Sequence, residues 1–250
     1  MTVATTRDRL PMAPPWRPAS PTGDDLLRHR LLEVLQAPLT TKLSYAEFLD
    51  WADEDTLAEW VEGEIIMTSP ASNRHQDIAG FLASLLRIFA ETHQLGQIRS
   101  GPFQMKLTAS GREPDLLFIG NERLSHLKPT YLDGPADLAV EIISPESVGR
   151  DRGDKFYEYA QGGVPEYWLI DPRTSWAEFY HLEGARYRLV FVGAEGEYRS
   201  KVVPGFWLRV EWLWQEPLPA VEDVLLQIGG ELYARRWIER LRQQGFLPGA

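Results

Sequence analysis

Cysteine is absent from all 250 residues. Disulfides and thiolate metal sites are thereby excluded, and a cytoplasmic setting is expected. Long apolar runs are missing too. No stretch approaches the roughly 20 residues that span a bilayer, so no membrane partner is expected. The opening MTVATTRDRLPMAPPWRPASPTGDD has no apolar segment of the secretory-signal kind. Basic residues are few beside acidic ones, 26 against 36, for a net charge of −10. A protein that coats nucleic acid draws its affinity from neutralised phosphates, so this balance argues against that class and weighs against a DNA substrate. An enzyme on nucleic acid survives the objection: it needs only local cations, and acidic metal ligands themselves lower the net charge.

What is present is core-forming sequence, 44% hydrophobic, enough for one ordinary domain with appendages. Residues 1–23 carry five prolines and no apolar period, which reads as a flexible tail. Residues 24–39 hold a short helix, DDLLRHRLLEVLQ, and a linker. The main domain is expected over 40–215 and a C-terminal helical extension over 216–250. Within the main domain Ser44 and Glu47 have capping-box spacing. LAEWVEGEIIMTSP predicts a hairpin around Gly63. Residues 73–92 repeat apolar side chains every 3.6 positions, from Ile78 to Phe89. Strands are expected over 96–107, 112–120, 136–144 and 165–172, with a helix over 151–163 before the last. That helix makes 136–144 and 165–172 parallel neighbours joined by a right-handed crossover. Short amphipathic strands then suggest a β-meander, and 220–243 a closing helix. The fold class is α/β.

One strand carries an anomaly. In DLAVEIISPES the apolar residues Leu138, Ala139, Val140, Ile142 and Ile143 surround Glu141. A buried carboxylate needs a basic side chain, backbone N–H groups or a metal ion. Asp115 opens the neighbouring apolar strand, PDLLFI. Carboxylates on adjacent strands at matched depth suit a hard divalent cation, Mg²⁺ or Mn²⁺, which takes oxygen ligands and keeps waters. The Ile142 carbonyl could add a third oxygen. Lys155, about one turn into the next helix, can bring its ammonium back over the strand ends. Such a set suits phosphodiester hydrolysis.

The pieces GEIIMTSP (63–70), RH (74–75), EPDLLFI (113–119), VEIISPES (140–147), DRGDK (151–155), Tyr157 and GVPEYWLIDP (163–172) resemble the Uma-type restriction endonuclease family of the PD-(D/E)XK nuclease superfamily. The resemblance covers roughly residues 40–213. It implies a restriction-endonuclease-like mixed central sheet flanked by helices. It further implies Asp115 and Glu141 as metal ligands, Lys155 as the catalytic cation, and DNA as substrate. A homodimer is the expected default for such an enzyme, because duplex DNA has two strands to cut. The superfamily pattern puts lysine two residues after the acidic one, where this chain has Ile143; Lys155 on the following helix matches the Uma-type pattern instead. Glu64 matches an acidic position that could complete the metal shell.

Each residue also has a plainer reading. Asp115 could be a strand-start residue, Glu141 the partner of Lys155 or Arg152 in a structural ion pair, Lys155 a solvated lysine, and Glu64 a surface residue. Arg74 and His75 open the long helix and could hold a phosphate there; a lone histidine is more often structural. Asp151 reads as the N-cap of the 151–163 helix, with Asp154 at N3, and Tyr157 as packing. The Trp-rich FWLRVEWLW reads as core or dimer interface. Two other functions compete: a catalytically silent member that binds nucleic acid or protein, and a hydrolase of a small phosphorylated molecule.

Overall fold

Ser44 and Glu47 start the first described helix of the computed structural model, which describes residues 42–53, 56–67, 71–145 and 147–248. The expected tail over 1–23 and helix over 24–36 lie outside the described residues. The Ser44 hydroxyl oxygen accepts from the Glu47 N–H at 3.2 Å, and Glu47 accepts from the Ser44 N–H at 2.7 Å. This reciprocal box opens α1 (Tyr45–Trp51). A hairpin follows, β1 (Ala58–Val61) and β2 (Glu64–Met67), with Gly63 at φ 93° in its turn. Ser72 then caps α2 (Asn73–His93) by accepting from the His75 N–H at 3.3 Å. Ile78, Phe81, Leu82, Leu85, Leu86 and Phe89 are all buried, as the period predicts. Each such burial is worth roughly 1.5–3 kcal/mol, so packing rather than propensity holds this helix in place.

The chain next lays down β3 (Gly96–Ser100), β4 (Gln104–Lys106), β5 (Ser110–Arg112), β6 (Leu116–Gly120), β7 (Tyr131–Asp133) and β8 (Leu138–Ile142). A π-helical turn, Arg150–Asp154, leads into α3 (Lys155–Gly162), and β9 (Glu166–Asp171) returns parallel to β8. β10 (Trp176–Glu183) and β11 (Arg186–Gly193) form an antiparallel hairpin on the far side of β9. The main sheet therefore runs β11-β10-β9-β8-β6-β3, and a second sheet runs β2-β1-β5-β4-β7. One face of the main sheet packs on α2 through Leu116, Phe118, Leu138, Val140, Trp168 and Ile170. The opposite face carries Leu117, Ala139, Ile143, Tyr167 and Leu169 against Tyr159 and Val164. Both faces are covered, which explains strands apolar at nearly every position.

Two strands expected to be continuous are each broken between the two sheets. The chain leaves the main sheet after Ser100 and enters the second at Gln104; it returns between Arg112 and Leu116. Pro102 and Pro114 fall in these gaps. A proline has no N–H to give a ladder, so the sheet breaks there. The Gly101 N–H donates to the Asp115 carbonyl at 3.0 Å and ties the two breaks into one crease. Glu113 and Asp115 sit on it.

The expected meander is only partly one. β10 and β11 extend the main sheet, while β12 (Glu197–Arg199) and β13 (Trp207–Arg209) pair by themselves. A 3₁₀ segment, Val210–Trp214, buries Trp212 and Leu213 in the core beside α2, so the Trp-rich run is packing. The closing helix is two, α4 (Val221–Ile228) and α5 (Gly230–Gln243), parted where Gly230 takes φ 59°.

Candidate active site

The crease, the end of β8, the first half of α2 and the π-turn surround a cavity of about 440 Å³. Glu141 and Lys155 meet beside it. Lys155 Nζ donates to Glu141 Oε1 at 3.0 Å and lies 3.3 Å from Glu59 Oε1 and 3.3 Å from Asp151 Oδ1. The Tyr159 hydroxyl donates to Glu141 Oε1 at 2.7 Å. Residues 155 and 159 are one helical turn apart on the buried face of α3, so both reach the same carboxylate. Arg112 extends the network, donating to Glu59 Oε2 at 2.9 Å and to Glu158 through Nε at 2.8 Å.

These contacts set the charges. Burial would discharge Lys155, but Glu141, Glu59 and Asp151 outweigh it and push its pKa up, so it stays an ammonium. Burial likewise drives Glu141 well above the usual carboxylate range; Lys155 opposes this, while Asp151, Asp115 and Glu59 add to it. Asp151 is raised, again mainly by burial. Burial also pushes Glu59 up, yet Lys155, Arg112 and the Glu113 N–H together hold it low. Glu113 is pushed up to about 7, chiefly by burial.

Asp115 falls opposite Glu141, one step beyond the Leu116–Val140 pair of the β6–β8 ladder. Its Oδ2 accepts from the Ile142 N–H at 2.6 Å and lies 3.2 Å from His75 Nε2. Burial would lower the His75 pKa, but the hydrogen bond and charge of Asp115 raise it. His75 Nδ1 is buried without a partner. Of the sequence candidates, Asp115, Glu141, Ile142, Lys155 and His75 line one cavity.

Others stand apart. Glu64 is exposed at the start of β2 and does not line the cavity; the hairpin's acidic residue that does is Glu59, on β1. Arg74 is taken up elsewhere: Nη2 donates to the Leu213 carbonyl at 2.7 Å, Nη1 to the Gln215 carbonyl at 3.2 Å, and Glu216 is 3.7 Å from Nε. Asp151 is no helix cap. It is buried in the π-turn and faces Lys155, because the wider turn rotates it inward. Tyr157 is exposed, 67%, rather than packed in the core. Sequence reasoning missed Glu59, Arg112, Glu113 and Tyr159. For Asp151 a signal existed, its four-residue spacing from Lys155.

Five carboxylates line the cavity, Glu59, Glu113, Asp115, Glu141 and Asp151, against two permanent cations, Arg150 and Lys155. Asp151 Oδ1 is buried and accepts no aligned hydrogen bond. This surplus of oxygen donors suits a hard divalent cation. In the described arrangement three of the carboxylates, Glu59, Glu141 and Asp151, converge on the Lys155 ammonium, and no three His, Asp or Glu groups among the described residues are grouped to hold an ion.

Residues 45–211 match the family model Uma2, described as "Putative restriction endonuclease". Among solved structures, one described as a "putative nuclease belonging to DUF820" from Anabaena variabilis ATCC 29413 is similar, with a TM-score of 0.59 and 17% identity. The likeness covers 68% of this chain and 96% of that one, and at this identity it is a likeness of fold. No curated protein matches. The family match takes in every carboxylate of the cavity and more than half of the sequence, and the chain belongs to the Uma2 family.

Proposed function

We propose that the protein is a metal-dependent endonuclease that hydrolyses phosphodiester bonds in DNA. One observation carries this reading: Glu141 and Lys155 are in contact beside Asp115, in an acidic cavity wholly within the family match. Asp115 and Glu141 would hold Mg²⁺ or Mn²⁺, with the Ile142 carbonyl as a third oxygen. Glu59 or Asp151 is the added carboxylate, in place of Glu64. Such an ion, when bound, polarises the scissile phosphoryl oxygen and lowers the pKa of a coordinated water.

The chain's own groups do the rest. Lys155, held charged, cannot accept a proton; it stabilises negative charge growing on the phosphoryl group. Tyr159 fixes the Glu141 carboxylate by its hydrogen bond. His75 and the Ile142 N–H aim Asp115. Cutting both strands of a duplex calls for two such sites, so a homodimer belongs to the proposal.

A second reading rests on the Lys155 ammonium, which already sits among three carboxylates. That arrangement suits a catalytically silent member that binds nucleic acid or protein. Plasmid nicking in Mg²⁺ or Mn²⁺ separates the two. Wild type should nick supercoiled plasmid, and Glu141→Ala and Lys155→Ala should each lose at least about 100-fold. Equal nicking by all three overturns the proposal. An intact plasmid with hydrolysis of p-nitrophenyl phosphate would move the reading to small phosphorylated molecules. No cleavage, and no Mg²⁺ heat that Asp115→Ala abolishes, would establish the silent member.

A further inference from the structure

An acidic cavity repels the phosphate it is meant to admit. Some cation must offset that, and the cations around the site are almost all spent. Lys155 faces Glu59, Glu141 and Asp151. Arg112 is shared by Glu59 and Glu158. Arg152 is paired with Glu178 and Arg74 with Glu216.

Arg150 differs. It is the first residue of the π-turn and lines the cavity. Among the described residues its side chain has no hydrogen bond and no ion pair, and its Nε is buried with no acceptor. A buried donor without a partner is costly, and a guanidinium presents a planar fork that matches two phosphoryl oxygens. Irregular π-turns recur at functional sites because they re-aim side chains, and this one directs Asp151 at Lys155 as well.

We infer that Arg150 is the phosphate-binding residue of this cavity, holding a phosphoryl group beside the carboxylates. The inference deepens the nuclease reading and rests on it for the identity of the phosphate's bearer. It does not need the chemistry to occur.

The probe is inorganic phosphate, with EDTA present, in a thermal melt against potassium chloride at matched ionic strength. At about 50 mM phosphate, wild type should gain about 3 °C. Arg150→Ala should lose that gain while melting in plain buffer no lower than wild type, since it breaks no hydrogen bond or ion pair among the described residues. Arg150→Lys should recover only part of the gain, lacking the fork. Arg152→Ala should keep it. A second arm measures binding of a labelled duplex by anisotropy in Ca²⁺, where Arg150→Ala should weaken affinity about tenfold and flatten the salt dependence by about one phosphate.

A phosphate gain retained in Arg150→Ala, or absent from wild type, overturns the inference. So does a lowered melt of Arg150→Ala in plain buffer, which would make the residue structural. The two readings fail separately. Plasmid nicking with an unchanged phosphate gain in Arg150→Ala sinks Arg150 and spares the nuclease. A gain that Arg150→Ala abolishes, without nicking, leaves an anion site and removes the nuclease.

Discussion

Glu141 and Glu166 stand on adjacent parallel strands, β8 and β9, and both are buried in the middle of the main sheet. Their surroundings are opposite. Glu166 collects five donors. Oε1 accepts from Trp168 Nε1 at 2.7 Å and from the Tyr198 hydroxyl at 2.8 Å. Oε2 accepts from the Ser200 hydroxyl at 3.2 Å, the Lys201 N–H at 2.8 Å and the Val202 N–H at 3.1 Å. Glu141 has two side-chain donors, Lys155 and Tyr159, and both reach Oε1. Among the described residues no donor reaches its Oε2, and a cavity lies alongside. Burial alone therefore does not tell the two carboxylates apart. What does is acceptor capacity, left open at a cavity in Glu141 and spent by Glu166 on fastening the β12 loop to the sheet.

The largest effect expected from this contrast is on stability. Glu166→Gln puts an NH₂ group where two or three donors already point, so buried donors lose their acceptor. It should cost about 2–4 kcal/mol, or roughly 5–15 °C in the thermal midpoint. Glu141→Gln keeps the shape, removes a charge that burial disfavours, and leaves Lys155 with Glu59 and Asp151. Its cost should be about 1 kcal/mol or less. The comparison breaks if Glu141→Gln melts below Glu166→Gln, for then Glu141 is a structural ion-pair member and the open oxygen means nothing.

The sequence showed Glu141 because one charge interrupts an apolar strand. It hid Glu166 among the aromatic residues of VPEYWLI, whose donors Tyr198, Ser200 and Val202 come from more than thirty positions away. Long, periodic elements were legible: α2, the β8–α3–β9 crossover and the Ser44 box rest on local spacing. The crease was not, since Gly101, Pro102 and Pro114 mark breaks without saying that the strands continue in a second sheet. Asp115, Glu141 and Lys155 could be picked out from strand and helix positions. Glu59 could not: Ala58, Glu59 and Trp60 are all buried, so β1 lacks the alternation that would have flagged an inward carboxylate. Nor could the π-turn, which has no spacing signature and which turns Asp151 from a cap into a cavity wall.

A smaller effect sharpens the contrast through pH. Glu113 lies between the two extremes, taking one side-chain donor, Gln104 Nε2 at 3.3 Å. Its pKa rises from 4.5 to about 7 on folding. A carboxyl whose folded pKa is raised binds its proton more tightly when folded. Its contribution to stability is full below the unfolded value and is lost as pH climbs toward about 7. Glu113→Gln should flatten that decline and leave the variant about 1–3 kcal/mol more stable than wild type above neutrality. Denaturant unfolding at stepped pH measures it. A parallel pair of curves would mean that Glu113 is ionised throughout, and that the cavity is wetter than its burial implies.

The smallest effect tests whether the Glu166 donors act as a set. Ser200 gives one of the five hydrogen bonds, and its oxygen also accepts from the Val203 N–H at 3.0 Å. Ser200→Ala should cost about 1 kcal/mol, a shift of roughly 2–4 °C, because four donors still hold the carboxylate. Plasmid nicking should not change, since Ser200 does not line the cavity. Combined with Glu166→Gln, the serine change should add little, because its acceptor has already been compromised. Full additivity in that double-mutant cycle would show that Ser200 and Glu166 are uncoupled. The fastening role of Glu166 would then reduce to its bonds with Trp168, Tyr198 and the two backbone amides.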